Sequence, residues 1–204
     1  MKAWGIVGLM LVSMVVALQG QTKAEVEAIN WLPWEQAATK QKEEKRKVLL
    51  NIYTNWCRWC SRMDETTFGD PRIAAYVNEK YYAVKFDAEY KEDITFQGKT
   101  YKYVKNGKTG YHELAAELLN DRLSFPAVVI LDEDWQTIQT IMGFKPPSSF
   151  ECIVTYFGSN QYKNTPWSAY ERNCSQTAQP VRSEKQALQP QPKQTPQLRL
   201  IKNR

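Results

Sequence analysis

Two cysteines three positions apart are the first feature of this chain that could do chemistry. They lie in the stretch TNWCRWCSRM, residues 54–63, and each follows a tryptophan directly. A Cys57-Arg58-Trp59-Cys60 pair can be a redox centre, half of a metal site or a structural disulfide. The rest of the sequence has to decide between these three.

A metal site would need two further ligands, and only Cys152, Cys174 and His112 remain to complete a cysteine- and histidine-based site. None of them forms a second close pair, and His112 stands alone where a helix is predicted to begin, so we interpret it as a surface residue. A structural bridge across so short a loop gains little from the entropy of the unfolded chain. The redox interpretation is therefore favoured, with no metal and no cofactor expected.

The chemistry of such a pair depends on the elements around it. KVLLNIY, residues 47–53, is an apolar run of the length of a buried strand, and the cysteines follow it where a helix should begin. A helix start favours a thiolate, which is the attacking species. Cys57 is then the more exposed and attacking cysteine, and Cys60, one turn later, resolves the mixed disulfide. Arg58 adds a positive charge that should lower the pKa of Cys57.

The remaining pattern predicts elements on both sides of the cysteine pair. Helices are predicted at residues 34–47 and 111–121, and we interpret Trp31 and Trp34 as packing residues. A further helix should begin at Asp70 and Pro71, a capping residue followed by a proline in the first helical position. Strands are predicted at 81–89, in a hairpin about Gly98, and as an antiparallel pair at 127–134 and 136–144, followed by a last helix from residue 146. Helices alternating with buried strands predict a three-layer α/β arrangement.

The length of the chain and the composition of its N-terminus predict one domain preceded by a signal peptide. With 204 residues, 43% of them hydrophobic, the chain is long enough for one domain with extensions. Lys2 followed by an uncharged stretch from Ala3 to Leu18 predicts a signal peptide over residues 1–20, too short for a membrane anchor. We expect cleavage, no stable membrane insertion, and a periplasmic or secreted protein whose cysteines can stay paired.

The C-terminal tail carries the net charge. Residues 181–204 hold six basic residues and one acidic residue, which match the whole formal charge of +5. The stretch from residue 175 is rich in Gln and Pro, so we predict a domain over 21–174 and a disordered basic tail over 175–204. A basic tail on a nearly neutral domain does not indicate nucleic-acid binding.

The order of these motifs resembles thioredoxin. The cysteine motif after a strand, DPRIAAYVNEKYYAVKFDAE and FPAVVILDED look most like secreted bacterial thioredoxin-like proteins, relatives of the C-terminal domain of the membrane thiol–disulfide interchange reductase. The resemblance covers residues 30–158. It implies a three-layer α/β/α fold with a central mixed sheet.

The resemblance also implies roles for individual residues. Pro126 would be a cis-proline packed against the disulfide, and Phe125 would offer its backbone to an extended substrate strand. Trp56 would be the surface tryptophan that flanks the site. Beside it, we expect Arg58 and Trp59 to belong to the substrate-binding surface.

Three features depart from the thioredoxin pattern. Asn51 stands where thioredoxin has a buried aspartate that assists proton transfer from the resolving cysteine, so Lys85 on the next strand lacks its usual partner. The dipeptide between the cysteines is Arg-Trp, which bears on the redox potential. The 38 residues between Asp87 and Pro126 are more than in thioredoxin itself.

The sequence thus predicts a thiol–disulfide oxidoreductase acting on protein disulfides. Arg58 favours the reduced site and hence an oxidant, whereas the resemblance favours a reductase or isomerase supplied by a membrane-bound electron donor. The alternative is a binding module that holds client proteins through Trp56, Trp59 and Phe125 without turnover.

Two further cysteines are predicted to pair. Cys152 lies off the apolar stripe of the last predicted helix, so it need not be a core residue, and Cys174 follows 22 positions later. A disulfide between them would hold the following segment on the domain; two unpaired thiols are the alternative.

Overall fold

Nine strands and six helices build residues 28–177, the part of the chain that this computed structural model describes. The strands are β1 Trp31–Leu32, β2 Lys47–Tyr53, β3 Tyr81–Asp87, β4 Ile94–Phe96, β5 Lys99–Tyr101, β6 Tyr103–Asn106, β7 Thr109–His112, β8 Ala127–Leu131 and β9 Thr137–Met142. The helices are α1 Trp34–Glu43, α2 Arg58–Thr66, α3 Pro71–Lys80, α4 Glu113–Leu118, α5 Pro147–Gly158 and α6 Trp167–Thr177. The predicted signal peptide and the tail beyond residue 177 lie outside the described residues.

Five strands form one mixed sheet in the order β1-β3-β2-β8-β9. The first three are parallel, and β8 and β9 are antiparallel to their neighbours. In β2, six of seven residues are buried because helices cover both faces of the sheet. The predicted buried strand and the predicted antiparallel pair are confirmed.

Two apolar clusters lie on opposite faces of the sheet. On one face Trp34 of α1 and Leu114 of α4 pack against the strands. On the other face the cluster includes Met63 of α2, Ile73 of α3 and Phe150 of α5. The fold is therefore the three-layer α/β arrangement of thioredoxin-like proteins, as expected.

The predicted start of α3 at Asp70 and Pro71 is confirmed. Asp70 precedes the helix and its side chain accepts from the N–H of Arg72 at 2.9 Å, while Pro71 occupies the first helical position. Proline fits there because the first N–H groups of a helix have no partner within it.

The segment between β3 and α4 contains two hairpins. β4 and β5 turn at Gln97 and Gly98, which both have positive φ, so the predicted hairpin about Gly98 is confirmed. β6 and β7 form a second hairpin around Gly107, which sequence reasoning did not separate from the first.

A helix follows the element predicted to be the last one. After α5 the chain makes a short 3-10 turn and then forms α6, and a Cys152–Cys174 disulfide joins α5 to α6 with the two Cα atoms 5.8 Å apart. The predicted pairing is thus present. Cys152 is 1% exposed, so the expectation that it need not be a core residue was wrong. Its burial follows from α6, which covers a side of α5 that would otherwise face solvent.

A groove of about 720 Å³ runs between β9, α5 and α6. Ile138 and Ile141 of β9 line it together with Trp167 and Glu171 of α6. The aromatic ring of Trp167 also packs against Tyr156 of α5, with centroids 5.1 Å apart.

Candidate active site

Cys57 is the residue from which α2 begins. Its backbone N–H donates to the Thr54 carbonyl at 3.1 Å, and its Sγ accepts from the N–H of Cys60 at 3.1 Å. The sulfur therefore occupies the place of a capping side chain, where free N–H groups and the helix dipole favour negative charge. This is the environment in which a cysteine thiolate is stabilised.

Cys57 and Cys60 are joined by a disulfide, with Cα atoms 5.2 Å apart. The two residues are 7% and 4% exposed. Cys57 is the more exposed one, as predicted, but by a small margin. The position at the helix start is therefore what distinguishes Cys57 from Cys60 most clearly.

Exposed aromatic side chains flank the buried disulfide. Trp56 is 67% exposed and Trp59 62% exposed. The Trp56 ring lies edge-on to Phe125 at 6.1 Å, and the Trp59 ring packs on Phe144 at 5.4 Å. Large apolar side chains that stay exposed beside a reactive group indicate a surface for another molecule.

The Phe125–Pro126 peptide bond is cis, as the resemblance implied. Pro126 is buried directly before β8, and its carbonyl accepts from the N–H of Gly143 at 2.8 Å. Phe125 is half-buried beside Trp56. The roles of both residues in substrate binding remain predictions.

Arg58 is exposed at the first position of α2. It borders an open depression of about 670 Å³ together with Trp59, Arg62 and Glu65. Its predicted influence on Cys57 stays a prediction.

Lys85 has a partner that sequence reasoning missed. Its Nζ lies 2.7 Å from Oδ2 of Asp64, and both side chains are about one-third exposed. Asp64 belongs to α2, one turn after Cys60. A carboxylate four positions after the buried cysteine was the available signal, since residues four apart share a helix face.

A polar but uncharged side chain, Asn51, occupies the position in β2 where thioredoxin has its buried aspartate. Asn51 is 1% exposed, pairs in register with Lys85, and its Oδ1 has no hydrogen-bond partner among the described residues. At the end of β2, burial and the neighbouring Asp87 and Asp64 raise the pKa of Tyr53 above its ordinary value.

His112 is buried and not on the surface, so its interpretation was wrong. It is 0% exposed and caps α4, where Nδ1 accepts from the N–H of Leu114 at 3.2 Å. Nε2 therefore carries the proton and donates to the Glu92 carbonyl at 3.1 Å. The Phe86 ring packs against it at 5.4 Å, and burial lowers the pKa of His112 below its ordinary value. The contacts that bury it come from distant positions in the chain.

Within residues 28–177, no group of three or more His, Cys, Asp and Glu side chains could hold a metal ion. No helix in the same range is long and apolar enough to cross a membrane.

Comparison with solved structures places the fold in a wider group. A thioredoxin-fold protein from Helicobacter pylori superposes with a TM-score of 0.53 at 19% identity, over 65% of this chain and 86% of that chain. The oxidised DsbD C-terminal domain of Neisseria meningitidis is a weaker neighbour, with a TM-score of 0.41 at 19% identity over 62% of this chain and 90% of that domain. The fold and the cysteine pair define a thioredoxin-fold protein with a CxxC disulfide.

Residues 20–144 match the family Thioredox_DsbH, described as a protein of unknown function, DUF255. The match covers more than half of the chain, which therefore belongs to this family. Spermatogenesis-associated protein 20 of Rattus norvegicus is 33% identical over 67 residues, or 32% of this chain and 8% of that protein. The match thus spans a small part of that relative's length.

Proposed function

We propose that the protein is a thiol–disulfide oxidoreductase that acts on protein disulfides through Cys57 and Cys60. The observation that carries the proposal is the Cys57–Cys60 bridge at the start of α2, with the Cys57 sulfur accepting the Cys60 N–H. That arrangement stabilises a thiolate in the reduced form, and the thiolate is the species that attacks a disulfide.

The proposed reduction has two steps. In the reduced protein, the Cys57 thiolate attacks one sulfur of a client disulfide; a Cys57–client bond forms, and the other client sulfur leaves as a thiolate that takes up a proton. The Cys60 thiol then loses its proton and attacks the Cys57 sulfur. The Cys57–Cys60 bond forms, the second client thiolate leaves, and two electrons have passed from the protein to the client.

Asp64 is proposed as the acceptor of the Cys60 proton. Side chains four residues apart on a helix are about 5–6 Å apart at Cβ, so the Asp64 carboxylate lies along the helix face that bears Cys60. Its contact with Lys85 orients the carboxylate towards the sheet. The pair takes the place of the buried aspartate whose position Asn51 occupies.

We favour a reductase or isomerase in an oxidising compartment, the periplasm or the exterior of the cell. The Cys152–Cys174 bridge supports that location, because structural disulfides persist in such compartments. A reductase there would need a supply of electrons, and a membrane-bound dithiol protein is the donor class that we propose.

The exposed Trp56 and Trp59 support a second candidate function. A protein that keeps its cysteines oxidised could hold client segments on these rings without turnover, since aromatic side chains give large contact areas. Turnover of a disulfide substrate separates the two functions.

The test is insulin reduction in the presence of dithiothreitol, followed by trapping. Wild type should accelerate precipitation of the insulin B chain, and Cys57→Ser should abolish this effect. Reduced Cys60→Ser should form a stable mixed disulfide with insulin, which mass spectrometry should assign to Cys57. Binding of clients without any acceleration would leave only the binding module. An adduct that forms through Cys60 in the Cys57→Ser protein, but not through Cys57 in Cys60→Ser, would reverse the assigned roles.

A further inference from the structure

A small cavity lies beside the redox disulfide, between the cysteine loop and the second hairpin. Its volume is about 220 Å³. Most of its lining surface is apolar, and the large side chains that supply it are Trp56 before α2, Tyr111 of β7, and Leu123 and Phe125 before β8. Because Trp56 directly precedes Cys57, a client side chain bound in this cavity would lie close to the client cysteine.

Backbone hydrogen bonds hold the hairpin wall of the cavity against the cysteine loop. The N–H of His112 at the end of β7 donates to the Ala88 carbonyl at 2.7 Å, and the N–H of Ala88 donates to the carbonyl of Tyr53 at 2.8 Å. Tyr53 ends β2, the strand that leads into the cysteine loop. The hairpin belongs to the segment between Asp87 and Pro126 that is longer than in thioredoxin, so this wall is additional to the thioredoxin pattern.

Exposed apolar side chains gather at this cavity. Within residues 28–177 the exposed large apolar side chains are Trp56, Trp59 and Leu123, and two of these three line the cavity. Leu123 is 37% exposed, whereas every other leucine in the same range is at most 8% exposed. Exposed apolar side chains that gather at one place mark a surface for an apolar group of another molecule.

The size of the cavity and its one carboxylate limit what can enter. Sites for whole small molecules are usually about 300–1,000 Å³, so this cavity accommodates one side chain. Glu89 belongs to the lining and forms no ion pair with any of the described residues. Its negative charge opposes the entry of a client Asp or Glu, because like charges placed side by side repel.

We propose that the cavity binds an apolar side chain of the client, of about the size of leucine, within two residues of the client cysteine. This inference rests on the proposed function, because a disulfide-bearing client presents the side chain. It gives the site a substrate class, namely disulfides with an apolar residue beside one cysteine. It also makes Leu123 a residue that determines specificity.

The test uses disulfide-cyclised peptides in which Leu, Asn or Ala stands in turn at each of the two positions before and the two positions after one cysteine. Leu and Asn are similar in size and differ in polarity, so the ratio of their kcat/KM values isolates apolar contact. At one position at least, wild type should reduce the Leu peptide with a kcat/KM about 10-fold above that of the Ala peptide. The Asn peptide should stay close to the Ala peptide.

Leu123→Asn should lower the Leu-to-Asn ratio at that position. Loss of about 20–40 Å² of apolar contact corresponds to a factor of about 2–5 in this ratio. The matched control is Ile138→Asn, which changes a half-buried apolar side chain of β9 near Leu131, at the end of the strand away from Pro126. This control should keep the wild-type ratio.

The outcomes separate this inference from the proposed function. If the Leu, Asn and Ala peptides are reduced equally at every position, the cavity does not bind an apolar side chain although the oxidoreductase stands. The same conclusion follows if Leu123→Asn keeps the wild-type ratio. If no peptide is reduced, the proposed function fails, and binding still tests the cavity.

Binding is measured with peptides that carry serine in place of cysteine, titrated into the oxidised protein. NMR shifts of the backbone amides of Tyr111 and Leu123 should saturate, and the Leu peptide should bind more tightly than the Asn peptide. Shifts confined to Trp59 and Phe144, which lie outside the cavity lining, would place the apolar side chain elsewhere and overturn the inference. The absence of any shift would overturn it as well.

Discussion

Removal of the Cys152–Cys174 bridge should lower the stability of the whole domain. The bridge closes a loop of 22 residues. In the chain-entropy model, a loop of this length stabilises the folded state by about 3.4 kcal/mol at 25 °C. For a chain of this size, that loss corresponds to a fall in Tm of about 7–14 °C. Cys174→Ser is the suitable change because Cys174 is only half-buried, while the Cys152 thiol can remain as a small apolar group.

The measurement is thermal and urea unfolding by circular dichroism, in a Cys57→Ser, Cys60→Ser background that prevents thiol exchange. Ser175→Ala, on the same helix and exposed, is the matched control and should change stability by less than about 0.5 kcal/mol. A loss below about 1 kcal/mol would refute the entropy argument. Faster hydrogen exchange confined to α6, with an unchanged midpoint, would show that α6 is not part of the cooperative unit.

Three further changes test the site and its surroundings. Asp64→Asn removes the proposed proton acceptor and should slow release of the client from its mixed disulfide by about 100- to 10,000-fold in rapid-quench experiments. Glu65→Gln should keep the wild-type rate, and equal rates in wild type and Asp64→Asn would exclude Asp64. His112 is the only histidine of the sequence, and its pKa is lowered in the folded protein. As the pH falls, the unfolded chain therefore takes up the histidine proton before the folded protein does. The contribution to the free energy of unfolding should be fully present above pH 6.5 and should decline below it, by at most about 1.4 kcal/mol per pH unit. Urea unfolding of His112→Asn between pH 5 and 7.5 should lack that decline; the same decline in both proteins would assign it to other groups. Arg58→Ala should raise the pKa of Cys57 at low salt but not at high salt, because salt screens an exposed charge. The measurement is thiolate absorbance against pH, and an unchanged titration at low salt would remove Arg58 from the mechanism.

The sequence predicted those parts of the fold that depend on short-range signals. The apolar run before Cys57, the cap at Asp70 and the apolar run of β8 each act within a few residues. The apolar stripe predicted on the last helix, α5, is confirmed as well. Its four residues are all buried: Phe150, Ile153, Val154 and Phe157. Such signals are local because burial on both faces and helix capping act on neighbouring residues.

Features set by distant contacts were missed. Lys85 was expected to lack a partner because Asp64 reaches it from another element, 21 positions away. His112 was interpreted as exposed because Phe86 and Glu92 bury it from the other side of two hairpins. The Asn106-Gly107 dipeptide was an available sign of the second hairpin, since such a pair favours a tight turn.

The two edges of the central sheet differ in length. β1 has two residues, too few to pair with a foreign strand, whereas β9 has six residues and an open outer edge within the described sheet. α6 is the element that shares a groove with β9, and the Cys152–Cys174 bridge holds α6 there. The bridge and α6 thus border the groove beside β9 and leave the strand edge itself unpaired within the described sheet. That edge is where an extended segment of another chain could add a strand through main-chain hydrogen bonds.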